Sequence, residues 1–252
     1  MMSEERTQHP VLLVHGWLAG AASWSRLLPH LDQDAYAWRP VDLRGYGSRR
    51  YLPGEHTVRE AAGDVLAVAD EHGWSRFSLV GHSMGALVAQ AVLAAAGERV
   101  VSLAGVSGVP ASGSPLPPER RTIFAAAADD REDRRAFLDH STGGRQDAAL
   151  LDALVDESMA AADPTTLHAY LDSWTGTDLH TEIDGRTLQV LVAVGEHDPA
   201  YPVSRVRETW ARWYPNCRIV RLADCGHYPM DEAPAALAEH LDTHLRAATQ
   251  NA

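Results

Sequence analysis

The sequence predicts an α/β protein built around a parallel sheet, and two observations lead to this class. Short apolar runs alternate along the chain with stretches of helical periodicity, an arrangement typical of a parallel sheet covered by helices on both faces. The run 188–194 is almost continuously apolar, as expected for a strand that is buried on both faces. With 252 residues and 45% hydrophobic content, the chain can bury the core of one such domain.

Six strands are predicted in a mostly parallel sheet: 11–14, 37–41, 77–80, 101–106, 188–194 and 218–222. Helical patterns separate most of them, for example over 58–66 and 203–213. One long interruption lies between the fourth and fifth strands and begins with a stretch rich in Pro, Ser and Gly. We therefore expect a core domain formed by 1–109 and 187–252, with a helical insertion over 110–186.

Two apolar helix faces are predicted inside the insertion, because apolar residues recur there at helical spacing. The first face is formed by Leu150, Leu151, Leu154, Val155 and Met159. The second is formed by Leu167, Tyr170, Leu171 and Trp174.

The pentapeptide Gly81-His82-Ser83-Met84-Gly85 stands between the third predicted strand and an apolar helical pattern. A G-x-S-x-G sequence in this setting forms a nucleophile elbow, a strained turn that exposes the serine oxygen above the sheet. The glycines are required because the turn leaves no room for a Cβ beside the serine. Ser83 is therefore the predicted nucleophile.

Two further candidates follow the last two predicted strands, Asp198 after the fifth and His227 after the sixth. A serine hydroxyl is a poor nucleophile until an imidazole accepts its proton. A carboxylate then fixes the tautomer of that imidazole and stabilises its positive charge. We expect Ser83, Asp198 and His227 to converge at one edge of the sheet. Glu196, Asp224 and Asp231 are acids near these positions, but their placement along the chain suits the role less well.

Acyl transfer also needs two N–H donors for the oxyanion that develops in the transition state. The first predicted donor is the backbone N–H of Met84, the residue after the nucleophile. The second is the backbone N–H of Trp17, in the loop His15-Gly16-Trp17 after the first strand.

Five segments match positions of one known family in register: His15-Gly16, Asp42-Leu43-Arg44-Gly45-Tyr46-Gly47, Gly81 to Gly85, Gly195 to Asp198, and Gly226-His227. In these segments the chain resembles α/β-hydrolases of the carboxylesterase and lactonase type, from about residue 11 to about residue 245. The resemblance implies an α/β-hydrolase fold, with the insertion acting as a cap over the active site. It also implies a cofactor-free hydrolase that forms an acyl-enzyme on Ser83.

Six aromatic residues are expected in or near loops around the pocket: Trp17, Trp24, Tyr170, Trp174, Tyr201 and Tyr228. They favour an ester or lactone of a small, fairly hydrophobic molecule as the substrate. Carbon–carbon bond hydrolases, thioesterases and perhydrolases use the same three residue types, so these activities stay open, as does a ligand receptor without turnover. A serine at position 83, where haloalkane dehalogenases and epoxide hydrolases carry aspartate, argues against those two classes.

All 22 basic residues are arginine, which excludes a Schiff-base lysine, a P-loop lysine and a Ser–Lys dyad. The net charge of -12 disfavours nucleic acid and anionic membranes as partners, because both attract clustered cations. No spacing typical of a metal site is present, so neither a metal nor a cofactor is expected.

The remaining predictions concern location and assembly. The first residues form no signal peptide, and no run of about eighteen apolar residues could span a membrane. Cys217 and Cys225 flank the last predicted strand, too far apart to form a disulfide. Free thiols are consistent with a cytoplasmic location. The oligomeric state is left open, with a homodimer among the possible states.

Overall fold

The computed structural model describes residues 8–250, and a six-stranded sheet runs through its centre. The strands are β1 (His9–Val14), β2 (Tyr36–Val41), β3 (Phe77–His82), β4 (Val100–Val106), β5 (Gln189–Gly195) and β6 (Cys217–Leu222). All neighbouring strands are parallel. The six predicted strands are thus confirmed, each to within two residues at either end.

The order of the strands in the sheet is β2-β1-β3-β4-β5-β6. The side on which the chain adds strands therefore changes between β1 and β3. After β1 the chain adds β2 on one side, and it then returns to build β3 to β6 on the other side. In open α/β sheets, ligands bind at such a reversal, outside the carboxyl ends of the strands. The loops that begin at His15 and Ser83 flank this point.

The interior of the sheet is as apolar as the sequence predicts. All six residues of β3 are buried, and so are the last six residues of β5. The edge strands β2 and β6 are more exposed, with mostly half-buried or exposed residues between their ends. The continuous apolar runs therefore mark the centre of the sheet, because only these strands have neighbours on all sides.

Eleven helices accompany the sheet within residues 8–250: α1 (Val58–Glu71), α2 (Met84–Ala96), α3 (Pro118–Asp129), α4 (Arg131–Ser141), α5 (Ala148–Ala161), α6 (Pro164–Gly176), α7 (His180–Ile183), α8 (Val203–Glu208), α9 (Trp210–Trp213), α10 (Pro229–Glu232) and α11 (Pro234–Gln250). Short 3₁₀ turns occur at Ala21–Trp24, Leu28–His30, Gly47–Arg49 and Gly97–Arg99. The helix α2 is buried from residue 84 to 93, which agrees with a sequence that is apolar on all sides.

The helical pattern predicted over 203–213 is confirmed as two short helices, α8 and α9, with one break between them. The break is at Thr209, which has φ −117° and ψ −85°. Trp210 and Trp213, which follow it, are buried.

The stretch between β4 and β5 contains the five helices α3 to α7. On α6, all four residues of the predicted apolar face are buried. On α5 the prediction is only partly right, since Leu150 is half-buried and Met159 is exposed. The buried face of α5 instead continues one turn further through Ser158, because residues four apart lie on the same side of a helix.

Ser158 meets a buried arginine that joins three of these helices. Arg134 on α4 is only 1% exposed. Its Nε and Nη2 atoms donate to the carbonyl oxygens of Ala127 and Ala128, both at 2.8 Å, and its Nη1 atom donates to Ser158 Oγ at 3.3 Å. The cation thus satisfies carbonyl groups at the C-terminal end of α3, where a positive charge is favourable.

Candidate active site

Ser83 lies in a strained turn between β3 and α2, with φ 51° and ψ −119°. A non-glycine residue at positive φ costs free energy and is held there by its surroundings. Gly81 and Gly85 provide the space, since a Cβ on Gly81 would overlap the carbonyl oxygen of Gly85 and one on Gly85 would overlap that of Val14. The turn therefore requires glycine at both positions.

The structure brings the hydroxyl, imidazole and carboxylate together. Ser83 Oγ lies 3.0 Å from His227 Nε2, and His227 Nδ1 lies 3.0 Å from Asp198 Oδ2. An ionised carboxylate can only accept hydrogen bonds, so the Nδ1–H group donates to Asp198. Nε2 is then free to accept the hydrogen bond of the Ser83 hydroxyl.

Asp198 is held as a carboxylate although its side chain has no exposed surface. Burial by itself raises the pKa of Asp198, but the charge and hydrogen bond of His227 and the Ala200 N–H outweigh it, so the pKa lies below the ordinary value. The other carboxylate oxygen accepts the N–H groups of Ala200 at 2.8 Å and Tyr201 at 3.3 Å. These bonds fix the carboxylate and favour its ionised form.

The three neighbouring acids are engaged elsewhere. Glu196 pairs with Arg221 at 2.9 Å, Asp224 with Arg145 at 3.0 Å and Asp231 with Arg26 at 2.9 Å. Asp198 is the one acid within residues 8–250 that is hydrogen-bonded to the ring of His227.

His82 supports the loop that carries the imidazole. Its Nε2–H group donates to the carbonyl oxygen of His227 at 2.8 Å, and the two rings lie 5.1 Å apart. Burial, reinforced by the charge of His227, lowers the pKa of His82 to about 3. His82 therefore stays neutral and serves as a hydrogen-bonding partner, not as a proton carrier.

Glu232 on α10 holds the same loop from the other side. Its carboxylate accepts the N–H groups of Gly226 and Tyr228, both at 2.8 Å. The N–H of His227 itself donates to the carbonyl oxygen of Ser141 at 2.9 Å. The sequence analysis did not identify Glu232, because nothing in the pattern shows that its side chain turns back to these peptides.

The peptide bond between Ser83 and Met84 is oriented by its carbonyl group. The Ser83 oxygen accepts the N–H groups of Ala86 and Val109, both at 3.0 Å. In a trans peptide the N–H points away from the preceding carbonyl. The Met84 N–H is therefore directed away from these bonds, and it has no hydrogen-bond partner in the described part of the chain.

The peptide bond between Gly16 and Trp17 is held in a similar way. The Gly16 oxygen accepts the Ala19 N–H at 3.3 Å and a hydrogen bond from His15 Nδ1 at 2.8 Å. The Trp17 N–H again lies opposite, and no group within residues 8–250 accepts it. Two backbone donors beside Ser83 are thus left available to a ligand.

A small cavity of about 60 Å³ covers the Ser83 hydroxyl. Four of the six predicted aromatic residues line it: Trp17, Trp174, Tyr201 and Tyr228. The sequence analysis missed Phe124 on α3 and Phe137 on α4, which also line it and pack against Trp17 with ring centroids 5.4 and 6.1 Å away. Only tertiary packing brings these two helices over the turn.

The predictions for Trp24 and Tyr170 are wrong, because neither residue lines this cavity. Trp24 is fully buried in the core, in the short turn after β1. Tyr170 is also buried, and its hydroxyl donates to the carbonyl oxygen of Arg44 at 3.1 Å. Its ring faces Tyr46 at 5.4 Å, on the side of α6 that contacts the loop after β2.

Within residues 8–250, no group of His, Cys, Asp and Glu side chains is arranged to hold a metal ion. None of the described helices is both long and apolar enough to cross a membrane. Cys217 is half-buried, Cys225 is buried, and both thiols are free.

Comparisons with known proteins agree with this architecture. A sequence model of the alpha/beta hydrolase family matches residues 11–240. The chain is 26% identical to the pimeloyl-[acyl-carrier protein] methyl ester esterase of Nitrosomonas europaea over 246 residues, which cover 92% of this chain and 94% of that protein. An esterase structure from Exiguobacterium antarcticum aligns with a TM-score of 0.85 at 18% identity, covering 95% of this chain and 92% of that one. This likeness confirms the predicted fold.

A third match is more local. Over 81 residues the chain is 41% identical to the serine hydrolase-like protein of Homo sapiens. The aligned segment is 31% of this chain and 39% of the human protein, and so spans well under half of that relative.

Proposed function

Because this chain belongs to the alpha/beta hydrolase family, we propose that it is a serine hydrolase that cleaves a carboxylic ester or lactone of a small, fairly hydrophobic molecule. The observation that carries the proposal is the hydrogen-bonded series from Ser83 through His227 to Asp198, with both distances at 3.0 Å. The similarity to a methyl ester esterase over nearly the whole chain supports ester hydrolysis in particular.

In the proposed reaction, Ser83 Oγ attacks the carbonyl carbon while His227 Nε2 takes the hydroxyl proton. The imidazole becomes positively charged, and the buried carboxylate of Asp198 stabilises that charge. The carbonyl oxygen becomes an oxyanion held by the N–H groups of Trp17 and Met84. Each such donor contributes roughly 3–4 kcal/mol to transition-state stabilisation.

The reaction is completed in two proton transfers. His227 gives its proton to the leaving alkoxide, which departs as the alcohol and leaves an acyl group on Ser83. A water molecule then attacks the acyl-enzyme, with His227 as the base, and releases the acid. For a lactone the alcohol and the acid are two ends of one product.

We also propose that residues 110–186 act as a cap over this site. Phe124, Phe137 and Trp174 line the cavity at Ser83 from α3, α4 and α6, together with the polar residues Arg120, His140 and Ser141. The aromatic part of this roof excludes water and strengthens the electrostatic interactions below it. It also favours a substrate with apolar groups next to the scissile bond.

A turnover screen with an active-site probe tests this function. Phenyl acetate, an acyl thioester and a vinylogous diketone are compared, since the last two report the thioesterase and carbon–carbon hydrolase activities. We expect multiple turnovers of the ester and the mass of one fluorophosphonate adduct on Ser83. The variant Ser83→Ala, which removes only the hydroxyl oxygen, should lose both. A folded wild-type protein that takes no label and turns over no ester would contradict the proposal.

The pH dependence provides a second test. Hydrolysis should slow on acidification, because a protonated imidazole of His227 cannot accept the Ser83 proton. His82 should not contribute to this loss, since its pKa is lowered to about 3. The measurement is kcat/KM for phenyl acetate from pH 4.5 to 9. A rate that stays flat over this range would exclude His227 as the base.

A further inference from the structure

A second cavity of about 300 Å³ lies beside the one that covers Ser83. It is bounded by the loop after β1, by α4 and α5, and by the segment that follows His227. Three residues line both cavities: Leu18, Ala19 and Tyr228. The two spaces therefore meet at the same side chains, next to the proposed oxyanion donor Trp17 and the proposed base His227.

The sizes of the two cavities favour the second one as the place for a long substrate group. The space beside Ser83 is about 60 Å³, and the neighbouring cavity is about 300 Å³. An acyl or alcohol group too long for the smaller space can extend into the larger one beside it.

The walls of the second cavity are mainly apolar. Leu138, Leu154 and Ala161 supply apolar surface. Asp231 is among the lining residues, but its side chain has no accessible surface, and its Oδ1 atom accepts a hydrogen bond from Arg26 at 2.9 Å. A group in the cavity therefore does not reach the Asp231 carboxylate and meets mainly apolar side chains.

We propose that this second cavity is a substrate subsite that binds one half of the ester or lactone, an apolar acyl or alcohol group. The proposal rests on the proposed esterase function and names its substrate class. An apolar group fits because Leu18, Leu138, Leu154 and Ala161 line the cavity and gain from being covered by apolar surface.

A substitution that narrows the second cavity tests this proposal. Ala161→Leu adds three carbons at the C-terminal end of α5, where Ala161 lines the cavity. Ala149→Leu makes the same change at an exposed position of α5 and is the matched control. Substrates are phenyl acetate, phenyl octanoate for the acyl side and octyl acetate for the alcohol side. We expect Ala161→Leu to lower kcat/KM at least tenfold for one of the two long esters, and to leave phenyl acetate within twofold. Ala149→Leu should change none of them.

The outcomes separate the two proposals. If Ala161→Leu changes the short and long esters equally, or if it leaves both unchanged, the cavity is not a subsite. In both cases phenyl acetate is still hydrolysed in a Ser83-dependent way. Loss of that activity from the wild-type protein would instead overturn the proposed function.

Discussion

At the scale of single residues, the structure gives different partners to two acids that are close together in the sequence. Glu196 and Asp198 are two residues apart, yet the first pairs with Arg221 at the surface and the second with His227 in the interior. The difference comes from the turn after β5, in which Asp198 accepts the N–H groups of Ala200 and Tyr201. These bonds hold the Asp198 carboxylate in the interior.

The substitution Asp198→Asn tests this assignment. An amide in place of the carboxylate cannot stabilise the imidazolium and favours the wrong tautomer of His227. We expect kcat to fall by roughly 10³- to 10⁴-fold, with a much smaller change in KM. Steady-state kinetics with phenyl acetate provide the measurement.

The matched control is Asp224→Asn, three residues before His227. Asp224 is exposed and has φ 52°, a conformation that asparagine tolerates as well as aspartate. Its kcat should stay within twofold of the wild-type value. Equal losses in the two variants would mean that Asp198 has no special role.

At the scale of elements, the turn between β3 and α2 depends on close contact between backbone segments. Gly85 lies in the first turn of α2, next to the end of β1, where the carbonyl groups of Val14 and His15 leave no space for a side chain. Gly63 in α1 is also helical, but nothing lies near the position of its missing Cβ. Replacing these two helical glycines by alanine should therefore change the free energy of unfolding in opposite directions.

Two alanine substitutions should show this contrast. Gly85→Ala forces the backbone of β1 and α2 apart, and we expect it to lower the free energy of unfolding by about 3 kcal/mol. Gly63→Ala should raise it by about 0.5–1 kcal/mol, because alanine favours the helix. Denaturant unfolding of both variants at neutral pH measures these changes. Two effects of the same sign would contradict the contrast.

At the scale of the whole molecule, ion pairs join segments that are distant in the chain. Arg26, after β1, contacts Asp231 on α10 and Glu157 on α5, both at 2.9 Å. The cluster thus connects the core of the protein with the helices between β4 and β5. Because Asp231 is buried, the free energy of this connection depends on pH.

The sign follows from the pKa of Asp231, which is raised from 3.8 to about 7 in the folded protein. Between these values the folded state binds a proton that the unfolded state has released. The resulting stability is complete below about pH 4 and is lost as the pH rises through 7. Asp231→Asn removes this dependence. We therefore expect the unfolding free energy of the wild-type protein, minus that of the variant, to be about 2 kcal/mol larger at pH 5 than at pH 8.

Denaturant unfolding at the two pH values measures this difference. Asp156→Asn serves as the control, because Asp156 is an exposed acid on α5 that pairs with Arg131. Its difference from the wild-type protein should be the same at both pH values. If the difference in unfolding free energy between the wild-type protein and Asp231→Asn is also the same at both pH values, the ionisation of Asp231 is not linked to folding.

Much of the fold could be predicted because its signals are local. The strands β1 to β6 follow from apolar runs, and the turn at Ser83 follows from glycines whose spacing has a steric reason. The helical pattern over 203–213 correctly placed α8 and α9. It did not show the break at Thr209, because helical periodicity continues across a single non-helical residue.

Less of the site could be predicted, since its surroundings come from segments distant in the chain. Phe124 and Phe137 reach Trp17 only after α3 and α4 have folded over the sheet. Tyr170 and Trp174 lie one turn apart on α6, but only Trp174 lines the cavity near Ser83. Tyr170 instead meets the loop after β2, and a helical pattern does not specify which neighbour each side chain contacts.

The sequence by itself thus determined the succession of the six strands along the chain and the meeting of Ser83, Asp198 and His227, because steric and hydrogen-bonding requirements restrict those positions to a few residue types. The tertiary structure alone decided which side chains line the cavity at Ser83, how the Trp17 and Met84 peptides are turned, and that a second cavity lies beside the first. These features depend on how separate elements pack, and packing is a property of the whole fold.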